Sequence, residues 1–335
     1  MNMAGNKGAL MLSRSDISSL LQIEDYIGAM EHAFETYSKQ KRAGMIGLLH
    51  LETGRMEYHI KAGAMELNET YFGLKVNSSL FSEFAKKGIP KIKGLIILFE
   101  GENGYPLAIL DSIEITIKRT GATTAVAAKY LARKDSQVLT VCGCGNQGSI
   151  QLESLLQVLP IKQVFAFDME PQVASRFAHK MSELHGIKIE AVENLEYAAA
   201  RSDVITTCTP SSKAYLLEDY IRPGTFIAAV GADSAVKQEL DPKILVNNKV
   251  VVDILDQSAT VGELHHAIEA GLLKKSDAHG EVGDVITGAI AGRSSDEEVI
   301  IYDATGTAIQ DTAAAASCYQ KAIQSGIGKY FNVFE

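Results

Sequence analysis

The spacing of apolar positions changes along the chain, and each change predicts a different element. Leu20, Ile23, Ile27, Met30, Phe34 and Tyr37 recur at helical spacing behind Ser15 and Asp16, two residues suited to capping. One helix is expected there, ending around 39–44. Short strand-like runs then take over at 46–51, 56–60, 71–76 and 94–99, with turns at Glu52-Thr53-Gly54 and from Glu100 to Gly104. A further strand, 106–110, ends at Asp111. An alanine-rich helix over 116–133 carries Ile117, Ala122, Ala125, Ala127, Ala128 and Leu131, small enough on several faces to pack closely on another helix. Beyond it, β-branched runs at 138–141, 163–167, 189–192, 204–208, 226–230, 250–254 and 299–302 alternate with helical segments such as 171–184. The glycine-bearing stretch 273–296 reads as loop. A second alanine-rich helix, 311–325, closes the pattern.

Regular β-α alternation with apolar strands implies an α/β fold with a doubly wound parallel sheet. The earlier strands, joined by tight turns, imply a second, mainly antiparallel α+β domain. The expected division is 116–311 for the first and 1–115 plus 312–335 for the second, with the last helix returning to lie beside the 116–133 helix.

Composition narrows the function classes. The net charge of −9 argues against nucleic acid or an anionic membrane surface as a partner. The longest apolar run, Leu95 to Phe99, is far too short to span a bilayer, and the first ten residues hold no long apolar segment, so a cytoplasmic location is expected. Cys142, Cys144, Cys208 and Cys318 form no C-x-x-C pair and read as reduced, buried thiols. His265 and His266 are adjacent, so on a helix they point in different directions and make a poor metal site. No metal is expected.

The most informative stretch is the run from Val138 through Gly143-Cys144-Gly145-Asn146-Gln147-Gly148, followed by an amphipathic segment and, twenty residues past Gly148, Asp168. A strand, a glycine turn and a helix in that order make a dinucleotide (Rossmann) site. Gly143 permits the turn, Gly145 lets backbone approach a pyrophosphate, and Gly148 lets helix and strand pack closely. The helix N-terminus offers unpaired N–H groups to the phosphates. Asp168 stands where a carboxylate binds a ribose hydroxyl and repels a 2′-phosphate, and no Arg follows it, so NAD is expected over NADP.

Ligands of such sheets lie outside the carboxyl ends of the strands. Thr209-Pro210-Ser211 falls there and suits a cofactor. Asp233 falls there too, either as an acid/base or substrate-orienting group or as an N-cap of a following helix. Lys75, among apolar strand neighbours, either faces solvent or projects into a cleft for proton transfer. Arg119 either grips a carboxylate or phosphate or makes a surface ion pair.

Ala108-Ile109-Leu110-Asp111-Ser112, Arg119-Thr120-Gly121-Ala122, Gly143 to Gln147, Gly231-Ala232-Asp233 with Lys237-Gln238-Glu239-Leu240, and Thr305-Gly306 to Gln310-Asp311 together resemble the ornithine cyclodeaminase/μ-crystallin family over nearly the whole chain. The family holds ornithine and lysine cyclodeaminases, alanine dehydrogenase of archaeal type, imine reductases and μ-crystallin. The resemblance implies a homodimer that moves hydride between the Cα of a small L-amino acid and NAD by way of an imino acid, as amino acid dehydrogenase, imine reductase or cyclodeaminase. It implies Lys75 as the active-site lysine, Arg119 as the substrate-carboxylate arginine and Asp233 as the group orienting amine or water. Thr120, Asn146, Gln147 and Asp168 fall at its cofactor positions. One departure stands out. Many relatives carry an upstream arginine for the carboxylate, and near Ile46-Gly47-Leu48 there is none; Arg55 and Lys61 are the nearby substitutes. That gap motivates a second reading, a catalytically silent NAD-bound binding protein of crystallin type.

Overall fold

The computed structural model describes residues 8–40, 45–54, 56–80 and 92–332. Two compact units emerge, Met1–Arg119 with Thr307–Glu335, and Thr120–Gly306.

The first unit is built on strands β1 (Ala9–Leu12), β2 (Met45–Thr53), β3 (Met56–Glu66), β4 (Thr70–Leu80), β5 (Ile92–Glu100) and β6 (Pro106–Asp111), with helices α1 (Arg14–Leu20) and α2 (Ile23–Gln40). Helix α3 (Ser112–Leu131) begins here and runs into the second unit. The single helix expected before residue 40 is two. Ser13, rather than Ser15, caps α1 in a capping box with Asp16, and Leu21 turns extended before the Asp25 carboxylate accepts from Gln22 N and starts α2.

The second unit holds β7 (Val138–Cys142), β8 (Gln163–Phe167), β9 (Lys188–Val192), β10 (Val204–Thr207), β11 (Ser212–Leu216), β12 (Phe226–Ala229), β13 (Gln238–Leu240), β14 (Lys249–Val252), β15 (Gly280–Glu281) and β16 (Ile300–Asp303). Its helices are α4 (Asn146–Leu156), α5 (Pro171–His185), α6 (Leu195–Ala199), α7 (Lys243–Val246), α8 (Leu255–Ser258), α9 (Glu263–Glu269) and α10 (Val282–Ile286). The stretch 273–296 is thus not all loop, since it contributes β15 and α10. The chain ends, within the described residues, on α11 (Ala308–Ser325) and β17 (Lys329–Phe331).

Eight strands of the second unit form a wholly parallel sheet in the order β15-β14-β16-β12-β10-β7-β8-β9. The strand order reverses between β7 and β10, which is the switch point of a doubly wound fold. At Gly121 an added Cβ would sit 2.5 Å from Ser154 Oγ and 2.8 Å from Ile150 O, so α3 rests directly on α4.

The other sheet runs β17-β1-β6-β5-β4-β3-β2 and is antiparallel except at β1·β6. Helix α11 lies on its inner face against β3, β4 and α2. A glycine pair makes that fit. Gly63 and Gly73 are register partners, Thr312 Oγ1 donates to Gly63 O at 3.0 Å, and a Cβ on Gly73 would meet that hydroxyl at 2.4 Å. The glycines form a notch in which α11 seats.

Candidate active site

Strand alternation puts Tyr71, Gly73 and Lys75 on the inner face of β4, beneath α11. Lys75 is 2% exposed, so the solvent-facing reading of this lysine is wrong. Its register partner on β3 is Lys61, likewise buried. Arg119, two turns into α3, is 5% exposed and does not make a surface ion pair. All three converge on Asp311 in the first turn of α11. Lys75 Nζ pairs with one carboxylate oxygen, and Arg119 Nε donates to the other at 3.0 Å. Arg119 Nη1 also donates to Gln310 Oε1 at 2.7 Å.

Two lysines and an arginine around one buried carboxylate produce a field that favours anions. Burial drives the Lys75 pKa down to about 7, with the charges of Arg119 and Lys61 working in the same direction against Asp311. Burial alone would raise Asp311, but Lys75, Arg119 and Lys61 outweigh it and hold the carboxyl below its ordinary range. Burial, more than the neighbouring cations, is what brings Lys75 to a pKa at which it can exchange a proton near neutral pH.

In the sequence Gln310 and Asp311 stand out only as the end of the Thr305–Asp311 block that carries the family resemblance, with no role attached to either. The available signal was the capping box of Thr307 with Gln310, which fixes where α11 starts and so which residues lead it. Gln310 is fully buried, and its Nε2 has no hydrogen-bond partner. Arg55 lies outside the described residues.

In the second unit the glycine turn has the geometry a dinucleotide needs. Gly143 has φ +100°, a left-handed conformation that favours glycine, and its N donates to Phe167 O at 2.9 Å. A Cβ on Gly148 would lie 2.1 Å from Gly143 O. Gly145 is the N-cap of α4 without a side-chain cap, and a Cβ there would meet nothing within 4 Å, so the approach to the helix N-terminus is open. Asn146 is exposed at the first helical position, and Gln147 Oε1 is a buried acceptor with no partner. Thr120, just ahead of Gly121, is the first residue of this unit.

Asp168 follows β8. Its carboxylate takes Cys144 N at 2.9 Å and Glu170 N at 3.0 Å, bonds that aim it while leaving further lone pairs for a ribose hydroxyl. Pro210 is exposed, whereas Thr209 turns its hydroxyl inward to Glu239 at 2.7 Å, so Thr209 shapes its loop from below. Asp233, after β12, caps no helix. Its carboxylate instead pairs with Lys237 at 2.5 Å and is 38% exposed. Burial pushes the Cys144 thiol up to about 12 and raises Cys142 and Cys208 as well, which keeps the thiols around the turn protonated. Among the described residues no cluster of three metal-ligating side chains occurs, and no helix is long and apolar enough to cross a membrane.

These features coincide with matches along the full chain. The sequence profile of the ornithine cyclodeaminase/mu-crystallin family matches residues 7–326. Alanine dehydrogenase of Archaeoglobus fulgidus is 39% identical over 326 residues, covering 97% of this chain and 98% of that protein. A solved archaeal alanine dehydrogenase dimer with bound NAD superposes with a TM-score of 0.91 at 38% identity, covering 97% of this chain and 99% of that one. The Δ1-pyrroline-2-carboxylate reductase of Thermococcus litoralis, solved with NADH and L-proline, also gives a TM-score of 0.91, at 30% identity over 96% of this chain and all of that one.

Proposed function

This chain belongs to the ornithine cyclodeaminase/mu-crystallin family, and from that premise we infer its reaction: it is an NAD-dependent oxidoreductase acting at the Cα–N bond of a small L-amino or imino acid. The direction we assign is that of an amino acid dehydrogenase with imine reduction as its reverse. The observation that carries this reading is the buried Lys61–Lys75–Arg119 group around Asp311.

The residues divide the work. Arg119, held at Nε by Asp311 and at Nη1 by Gln310, presents a planar cation suited to a substrate carboxylate. Lys61 adds a second cation in the place of the missing upstream arginine, on the strand adjoining Lys75. Lys75, near neutrality at about 7, takes the proton of the substrate ammonium, and the freed lone pair forms C=N as the Cα–H bond breaks. In reverse the lysine returns that proton. Asp233 is the carboxylate we assign to orienting the amine or the attacking water. Gly143, Gly145, Asn146, Gln147, Gly148 and Asp168 are the residues that would hold NAD, which supplies the redox chemistry when bound.

The silent binding protein is the weaker reading, because a protein that only stores NAD needs no lysine tuned to neutrality beside an arginine. The test is an initial-rate survey. NADH should accumulate with NAD and a small neutral L-amino acid, and be consumed with the matching keto acid and ammonia or with a cyclic imine. Ornithine converted to proline without net NADH would overturn the dehydrogenase direction, and no turnover on any of these would overturn the enzyme reading.

We propose a homodimer, assembled through the outer face of the seven-stranded sheet. Leu49, Ile60, Val76 and Leu95 form one register row there, and Met11, Ile109, Ile97 and Leu74 lie along another. Leu49 and Leu95 are about half exposed, at 50% and 52%. An apolar face of that breadth marks an interface. Light scattering should give twice the chain mass, and Leu95→Asp should yield a monomer.

A further inference from the structure

Beneath the carboxyl ends of β10 and β12 lies a carboxylate that the reaction scheme does not use. Glu239, on β13, has no exposed surface, yet it accepts five hydrogen bonds from three separate segments. Oε2 takes Thr207 Oγ1 at 2.8 Å and Gly231 N at 2.9 Å. Oε1 takes Thr209 N at 2.6 Å, Thr209 Oγ1 at 2.7 Å and Tyr215 OH at 2.8 Å. Glu239 is itself held, its N donating to Glu263 Oε1 at 2.7 Å. The fit leaves no slack. A Cβ on Gly231 would stand 2.4 Å from Glu239 Oε2 and 2.4 Å from Thr209 O, so the two loops press together around this one side chain.

The place of these loops in the sheet gives the network a purpose. Strand β7 carries the glycine turn for the pyrophosphate and β8 leads to the ribose-binding acid, so the adenosine half of a dinucleotide belongs to the β8 side. The nicotinamide half then belongs to the β10 and β12 side, where Thr207–Pro210 and Gly231–Asp233 emerge. We propose that Glu239 is a positioning residue for the nicotinamide half of the cofactor: by binding both loops from below it sets them at one level and fixes where Asp233 stands. The carboxylate touches neither cofactor nor substrate and acts only through Thr209, Tyr215 and Gly231. This rests on NAD being the cofactor.

The test compares two ligands that share everything but the nicotinamide. Binding of NADH and of ADP-ribose is measured by calorimetry on the wild type, Glu239→Gln and Tyr215→Phe. Replacing one carboxylate oxygen by an amide turns an acceptor into a donor facing donors, so NADH affinity in Glu239→Gln should fall by about tenfold or more. ADP-ribose affinity should stay within about twofold. Tyr215→Phe removes one of the five bonds, and a smaller loss of about threefold, again for NADH alone, is expected. Equal losses of both ligands, or no loss of either, would overturn the proposal, as would a wild type that binds NADH no tighter than ADP-ribose. Should Glu239→Gln fail to fold, Tyr215→Phe decides, and unchanged NADH binding there would sink the idea. A wild type that binds neither ligand would overturn the cofactor reading instead.

Discussion

The two units make their sites from opposite materials. In the second, the dinucleotide turn is main chain: a left-handed glycine, a glycine with no space for a side chain and an open helix N-terminus, all within six consecutive residues. In the first, the candidate substrate site is side chains alone, contributed by positions 61, 75, 119 and 311. A backbone site tolerates almost any neighbours provided its glycines stay. A charge cluster depends on every member, because each group's protonation is set by the others. Injury to the charge cluster should therefore appear in chemistry, and injury to the dinucleotide turn in cofactor affinity.

Four measurements press on that contrast, the largest effect first. Lys75→Ala should lower turnover by roughly 10³-fold while leaving NADH binding as it was; a matching loss of NADH affinity would blur the division. Asp311→Asn leaves Lys75 and Arg119 without their counter-charge, and a stability loss of about 3 kcal/mol in thermal melts is expected along with lost turnover. In the second unit, Gly148→Ala must displace a backbone oxygen, and a weakening of NAD binding by about 1–3 kcal/mol should follow. If instead kcat falls with NAD affinity intact, the turn has a part in chemistry. The smallest effect is in pH. A lysine with its pKa lowered to about 7 is protonated below that value and cannot take a second proton, so kcat/KM for amino acid oxidation should climb as pH rises through about 7. The slope should not exceed about tenfold per unit, imine reduction should fall over the same window, and Lys75→Arg should abolish the step.

What could be read in the sequence follows the same division. The turn was legible because its information is local: glycines at fixed spacing, a β-branched run before them, an acid at a fixed distance after. Lys75 and Arg119 could be named, but their burial could not, since a lysine in a strand looks alike whether it faces water or a helix. Ala62, Gly63 and Ala64 are poor strand formers, so local propensity does not carry β3 to its observed end. Pairing with β4 carries the strand on to Glu66 and brings Lys61 opposite Lys75. Glu239 drew notice only within a longer block, because a carboxylate that organises loops from below has no spacing rule. The edge strands β1 and β17 are short, and partners far away in sequence, rather than local propensity, hold them in place.

The seating of α11 in the Gly63–Gly73 notch bears on how the molecule is made. Asp311 joins Lys75 across 236 positions (311 − 75), so on the ribosome the cationic group exists without its counter-ion until α11 has emerged. The dinucleotide turn closes over a far shorter span and can form well before. A nascent chain should thus gain its affinity for the cofactor first and its reactivity later, when α11 docks and brings Asp311 to the cations.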